Sequence, residues 1–153
     1  MAIREVTFIV LAAILLSTAY NALLGKGIFG TPAEHTPQAT SVNEVPPTFI
    51  TLEEAFAFYT ASQGTFVDAR HEYDYSLGHI KGAVNLPLKE FETHTGTYAG
   101  WPKDKMLIVY CDGAECNSSI ELAKKFSAAG FTDVRIFFGG WTEWQMHDNP
   151  TEK

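Results

Sequence analysis

Residues 106–111 read MLIVYC, an apolar run without polar alternation, and they limit the possible folds more than any other part of the chain. A strand of this kind is buried on both faces, so its sheet must be covered by helices on each side. The neighbouring segments agree with that requirement. Residues 48–50 read as a first short strand, and Thr51 with Glu54 three residues later forms a capping box ahead of AFAFYTASQ. Gly64 ends that helix, and TFVDA at 65–69 is a second buried strand. Residues 82–85 give another short strand, and Pro87 opens a helix near 88–91. A helix is predicted over 118–128, with Ile120, Ala123 and Phe126 on one face, and Gly130 stops it. DVRIFF at 133–138 is the last strand before Gly139-Gly140. Strands that alternate with helices pair in parallel, which predicts one α/β domain over 48–150.

The N-terminal third is different in kind. Residues 7–24, TFIVLAAILLSTAYNALL, contain no charge and predict a transmembrane helix, with residues 1–26 as a membrane anchor. Ser17, Thr18 and Asn21 can bond within or between helices, and Tyr20 suits a membrane interface. A signal peptide cleaved after Ala19 is the competing reading, since Ser17 and Ala19 supply the small residues such a site needs. Arg4 offset by Glu5 argues against it. By analogy with a signal-anchor, the short tail ahead of the helix leads to the expectation that the following domain lies on the extracytoplasmic, periplasmic side. Residues 27–47, rich in Gly, Pro, Thr and small polar residues and including His35, read as a flexible linker.

Acidic residues outnumber basic ones by 18 to 11, for a formal net charge of −7. No local basic patch reverses that field, so nucleic acid is excluded as an expected partner. The two cysteines, Cys111 and Cys116, fall in a single loop. Two are too few for a disulfide scaffold or a paired-cysteine zinc site, so neither a metal nor another cofactor is expected.

The chemistry is expected at Cys111. It closes the strongest strand, and a polar loop (Asp112, Gly113, Ala114, Glu115) leads through Cys116 to Asn117 and Ser118 at the start of a helix. Backbone N–H groups and the positive end of the helix dipole favour a thiolate at such a position. Asn117, Ser118 or Ser119 can cap the helix, and Gly113 is expected to supply unusual backbone angles.

Several segments together carry a family resemblance. Val67-Asp68-Ala69-Arg70, His71-Glu72-Tyr73 and residues 78–87 (GHIKGAVNLP) resemble the rhodanese family closely. So do Val109-Tyr110-Cys111, Ala129-Gly130-Phe131 and Gly139-Gly140-Trp141 with Trp144. The resemblance implies a five-stranded parallel sheet flanked by helices. It also implies a persulfide on Cys111 that takes sulfane sulfur from a donor and passes it to a nucleophile. By the same resemblance Asp68 and Arg70 help to order the site and His79 is mainly structural; the alternative for Asp68 and Arg70 is a surface ion pair of little worth. Trp141 and Trp144 are expected in the core. The loop departs from the family pattern: Cys116 stands where an arginine or small polar residue is usual, and about two extra residues precede the helix. Asp112 and Glu115 put negative charge beside the sulfur, which argues against thiosulfate as donor. The departure from the family loop argues against phosphatase chemistry, for which the resemblance implies a cationic loop arginine.

Three functions follow as expectations. The first is a sulfurtransferase that uses a small sulfur donor and a thiol acceptor. The second is a thiol–disulfide or sulfide-releasing relay, in which Cys116 resolves the modified Cys111 and a redox protein is a partner. The third is a non-catalytic binding module.

Overall fold

The computed structural model describes residues 2–24 and 45–153. The chain divides into two units, Met1–Ala39 and Thr40–Lys153. The first contributes one helix, α1 (Ala2–Leu24). Val6, Phe8, Val10, Leu11, Ile14, Leu15, Leu16 and Tyr20 are exposed on it, and Thr18 Oγ1 donates back to the carbonyls of Ile14 and Leu15. Among the described residues, however, no helix is long and apolar enough to cross a membrane. The span expected over 7–24 is therefore corrected to an apolar helix. Its uninterrupted apolar stretch is residues 8–16, well short of the ~20 residues that a crossing needs, because polar side chains begin at Ser17. The expected linker falls largely outside the described residues, as does His35; Val45 to Pro47 carry no regular element.

The second unit is built on five parallel strands. In chain order they are β1 (Thr48–Ile50), β2 (Thr65–Asp68), β4 (Val84–Asn85), β5 (Leu107–Tyr110) and β6 (Val134–Phe137), arranged β1-β6-β5-β2-β4 across the sheet. A separate antiparallel pair joins β3 (His79–Ile80) to β7 (Thr151–Glu152). The helices are α2 (Leu52–Thr60), α3 (Glu72–Leu77), α4 (Thr95–Tyr98), α5 (Ser118–Ala128) and α6 (Gly140–Met146), with a 3₁₀ turn at Leu88–Glu90. The Thr51–Glu54 capping box starts α2, and Gly130, at φ +91°, takes the left-handed turn that ends α5. The α/β class and the parallel sheet agree with the expectation. The antiparallel pair, α3, α4 and α6 were not foreseen, since two-residue strands and helices of one or two turns are too short for a periodic signal.

Side chains of a strand alternate between the two faces of its sheet, and β5 shows what that does here. Leu107, Val109 and Cys111 enter the core shared with Leu122, Ala123 and Phe126 of α5. Ile108 and Tyr110 enter the opposite core with Phe66, Phe137 and Trp144. Trp144 is fully buried and meets Tyr59 edge-on at 5.3 Å between ring centroids. Parity alone thus sends the Cys111 side chain toward α5.

Candidate active site

Cys111 follows β5 directly and is 1% exposed. Its sulfur is joined to Cys116 in a disulfide, with the two Cα atoms 6.3 Å apart. That separation lies within the range a disulfide accommodates. The carbonyl of Cys116 is 3.2 Å from Cys111 Sγ, and the hydroxyl of Ser119 is 3.3 Å away. Ser119 is buried in the first turn of α5, and only its hydroxyl can donate to a sulfur that carries no proton. The helix dipole adds to that donation at the same end.

The loop 112–117 is held from the other face of the sheet. Asp68 is fully buried, and its carboxylate accepts from the backbone N–H of Arg70 (2.9 Å), from Nε (3.0 Å) and from Nη2 (2.7 Å). Arg70 Nη2 also donates to the Gly78 carbonyl at 2.8 Å, and its guanidinium lies 5.0 Å from the Trp141 ring centroid. Nη1 reaches Asp112 at 3.6 Å. Burial works against the Arg70 charge, yet the hydrogen bonds and charge of Asp68 outweigh it and push the guanidinium pKa up. Burial, reinforced by the Asp68 charge, likewise raises the Tyr110 phenol far above its ordinary range, so its hydroxyl stays neutral and accepts from Ile80 N–H at 3.2 Å. Asp68 and Arg70 form a buried pair rather than a surface one, and through Asp112 they touch the loop, not the sulfur.

The support beneath the loop comes from Gly139 and Gly140. Trp141 N–H donates to the Cys111 carbonyl (2.8 Å) and Thr142 N–H to that of Asp112 (2.9 Å). Gly140 sits at φ +60°, and a Cβ there would lie 2.3 Å from the Cys111 carbonyl oxygen. Gly113, expected to need special angles, does not have positive φ; a Cβ on it would instead come within 3.3 Å of the Gly139 carbonyl. The special backbone angle belongs to the partner segment because that segment must turn directly under Cys111. The side-chain cap expected at the start of α5 is also absent: Asn117 makes no capping hydrogen bond, and Ser119 faces the sulfur instead.

His79 lies outside this network. It stacks on Tyr75 at 3.6 Å, its Nδ1 is 3.0 Å from the Tyr75 carbonyl, and its Nε2 is 3.5 Å from Glu152. Glu152 is held below the usual carboxylate range, first by the Gly82 N–H and then, against some desolvation, by His79.

An open cleft of about 890 Å³ adjoins the loop at the carboxyl ends of β1, β5 and β6. This is the end where open parallel sheets bind ligands. Its wall includes Cys116 but not Cys111, and apolar Ile50, Leu52, Phe138 and Met146 contribute the floor. Glu53, Asp112, Glu115 and Glu143 ring it, and among the described residues no lysine or arginine lines it. Glu53 stays ionised below the usual range because its own backbone N–H and the Thr51 hydroxyl donate to it. Among the described residues no cluster of His, Cys, Asp and Glu could hold a metal ion. Sequence reasoning missed Ser119 as a sulfur contact, the support given by Gly139 and Gly140, and the acidic residues Glu53 and Glu143. The double glycine was visible as a motif; the rest are ordinary residues brought in by folding.

A rhodanese-like domain model matches residues 52–147, most of the chain. The chain belongs to the rhodanese-like family. Among curated relatives of this rhodanese-like chain, the HTH-type transcriptional regulator Rv0324 of Mycobacterium tuberculosis is 30% identical over 115 residues. The match covers 75% of this chain and 49% of that protein. The sulfur carrier protein TtuD of Thermus thermophilus is 34% identical over 79 residues, covering 44% of this chain and 27% of that one. The chain thus spans about half, or less, of the length of these relatives. Of the solved structures, the BH2092 protein of Bacillus halodurans superposes with a TM-score of 0.63 at 25% identity, covering 69% of this chain and 76% of that one.

Proposed function

We propose that the domain takes sulfane sulfur onto Cys111 as a persulfide and that Cys116 resolves it, releasing sulfide. The observation that carries this reading is the Cys111–Cys116 disulfide inside the family's reactive loop. In the first step the Cys111 thiolate attacks the terminal sulfur of a persulfide or polysulfide. The donor's S–S bond breaks and the donor leaves as a thiolate. In the second step the Cys116 thiolate attacks Cys111 Sγ and the outer sulfur leaves as hydrosulfide. The sulfane sulfur is reduced, the two thiols are oxidised, and no outside oxidant is needed. Ser119 donates to the Cys111 sulfur throughout, while Arg70 and the Gly139-Gly140 turn keep the loop in register. The name of TtuD as a sulfur carrier supports sulfur handling by the shared domain.

The experiment treats the reduced chain with polysulfide and compares wild type with Cys116→Ser. Wild type should release sulfide and gain the disulfide, while the variant accumulates one extra sulfur on Cys111. Equal lifetimes of the modified Cys111 in both would leave the second reading, a plain sulfurtransferase that hands the sulfur to an external thiol.

We also infer that α1 holds the domain at a membrane surface on the extracytoplasmic side, where disulfides persist. Its exposed large apolar side chains, Phe8, Leu15 and Leu16 among them, support that placement. Carbonate extraction of membranes and a C-terminal reporter active only outside the cytoplasm test it; a chain found wholly in the soluble cytoplasmic fraction would refute it.

A further inference from the structure

The two sulfurs of the disulfide are presented unequally. Cys111 is 1% exposed and does not reach the cleft, whereas Cys116 forms part of its wall. A thiolate must approach along the S–S axis behind the sulfur it attacks, and of the two cysteines it is Cys116, half-buried against the core, that borders the cleft. The sulfur expelled would be that of Cys111, which keeps the Ser119 hydroxyl at 3.3 Å and the α5 N-terminus as a leaving thiolate. In the disulfide-bonded loop an approach from the cleft does not reach Cys111, which is buried and does not line it.

The cleft also selects the attacker. Carboxylates of Glu53, Asp112, Glu115 and Glu143 face it, and among the described residues no lysine or arginine lines it; Arg70 reaches Asp112 at 3.6 Å, and His147 is near enough to Glu53 to act on its charge. Such a field concentrates cations and repels anions on approach. The apolar floor includes Met146, which is 76% exposed and without a covering neighbour of its own chain among the described residues. A small hydrophilic thiol leaves that floor wet, whereas a protein loop covers it.

We propose that the disulfide is reopened by a partner protein dithiol whose attacking cysteine, flanked by basic and apolar residues, enters this cleft and forms its mixed disulfide with Cys116. The partner thiolate bonds to Cys116 Sγ and the Cys116–Cys111 bond breaks, with the electron pair leaving on Cys111. The partner's second thiol then attacks the mixed disulfide and frees Cys116. The partner dithiol is oxidised and the domain's disulfide is reduced, two electrons in all. This rests on the resolving reading above and names the reductant that it requires.

The test starts from the full chain in mild detergent, oxidised with diamide rather than through a persulfide, so it does not depend on the sulfur-loading step. Single-cysteine peptides Lys-Cys-Lys and Glu-Cys-Glu, and the small cation cysteamine, are the probes, with rates corrected for thiolate content. After acid quench the peptide adduct should map to Cys116; an adduct on Cys111 overturns the assignment. At low salt Lys-Cys-Lys should react on the order of tenfold faster than Glu-Cys-Glu, the ratio falling toward one at high salt. Equal rates at low salt overturn the charge selection. The double variant Glu115→Gln, Glu143→Gln should lose most of the ratio while still forming the disulfide. Cysteamine reacting as fast as Lys-Cys-Lys would overturn the protein partner in favour of a small cationic thiol. If sulfide release fails in the earlier experiment while these results hold, the sulfur-loading reading alone is at fault.

Discussion

Cys111 and Cys116 share one loop, five residues apart, and meet opposite surroundings. The Cys111 side is dry and fixed. It has a strand below, Ser119 beside it, the Gly139-Gly140 turn beneath, and the Asp68–Arg70 pair bracing the loop from the far face. The Cys116 side borders the open cleft, charged and apolar by turns, with Cys116 itself half-buried against the core. One half holds a reactive atom at a fixed place; the other leaves room for whatever must reach it. A site that only stored sulfur would need the first half alone.

The contrast breaks hardest at Arg70. Arg70→Ala leaves the fully buried Asp68 carboxylate without its partner, and such a loss costs about 3–5 kcal/mol. A urea unfolding midpoint should fall accordingly, and a loss below about 1 kcal/mol would show that the pair carries little. Gly140→Ala comes next. Its Cβ meets backbone 2.3 Å away at a left-handed φ, which predicts roughly 1–3 kcal/mol of destabilisation together with displacement of the Cys111 loop. Slower disulfide formation from the dithiol chain would report the displacement.

Ser119→Ala sharpens the contrast rather than breaking it. Removing the donor to the sulfur should slow alkylation of Cys111 at neutral pH by about tenfold in a Cys116→Ser background, since hydrogen bonds to charged groups contribute ~1.5–3 kcal/mol. The pH profile of that reaction should move upward, whereas a merely structural role for Ser119 would alter stability and leave the profile in place. The smallest effect is expected on the open side. Glu115→Gln should change unfolding free energy by no more than about 0.5 kcal/mol, because an exposed loop carboxylate has no packing to lose. Its influence should show in the charge preference of attacking thiols alone.

Much of this molecule was legible before folding, because the legible parts depend on local pattern. The MLIVYC run required burial on both faces, the Thr51–Glu54 spacing capped α2, Gly130 ended α5, and the strand-end position singled out Cys111. Period and capping are properties of neighbours in the chain, so the chain alone determined them. The limits of α1 were less secure, since an uncharged run defines a helix more firmly than it defines a membrane crossing.

What only the tertiary structure decided is where distant residues meet. No local signal brings Arg70 to Asp112, places Gly140 under the Cys111 carbonyl, or gathers Glu53 and Glu143 with Glu115 around one cleft. Nor could the sequence show which cysteine faces solvent: residue parity on β5 turns Cys111 toward α5, but the exposure of Cys116 depends on how β1, β6 and α6 pack beside the loop. Such meetings are fixed by sheet order and helix packing, which place side chains from separate segments together without leaving a period in the sequence.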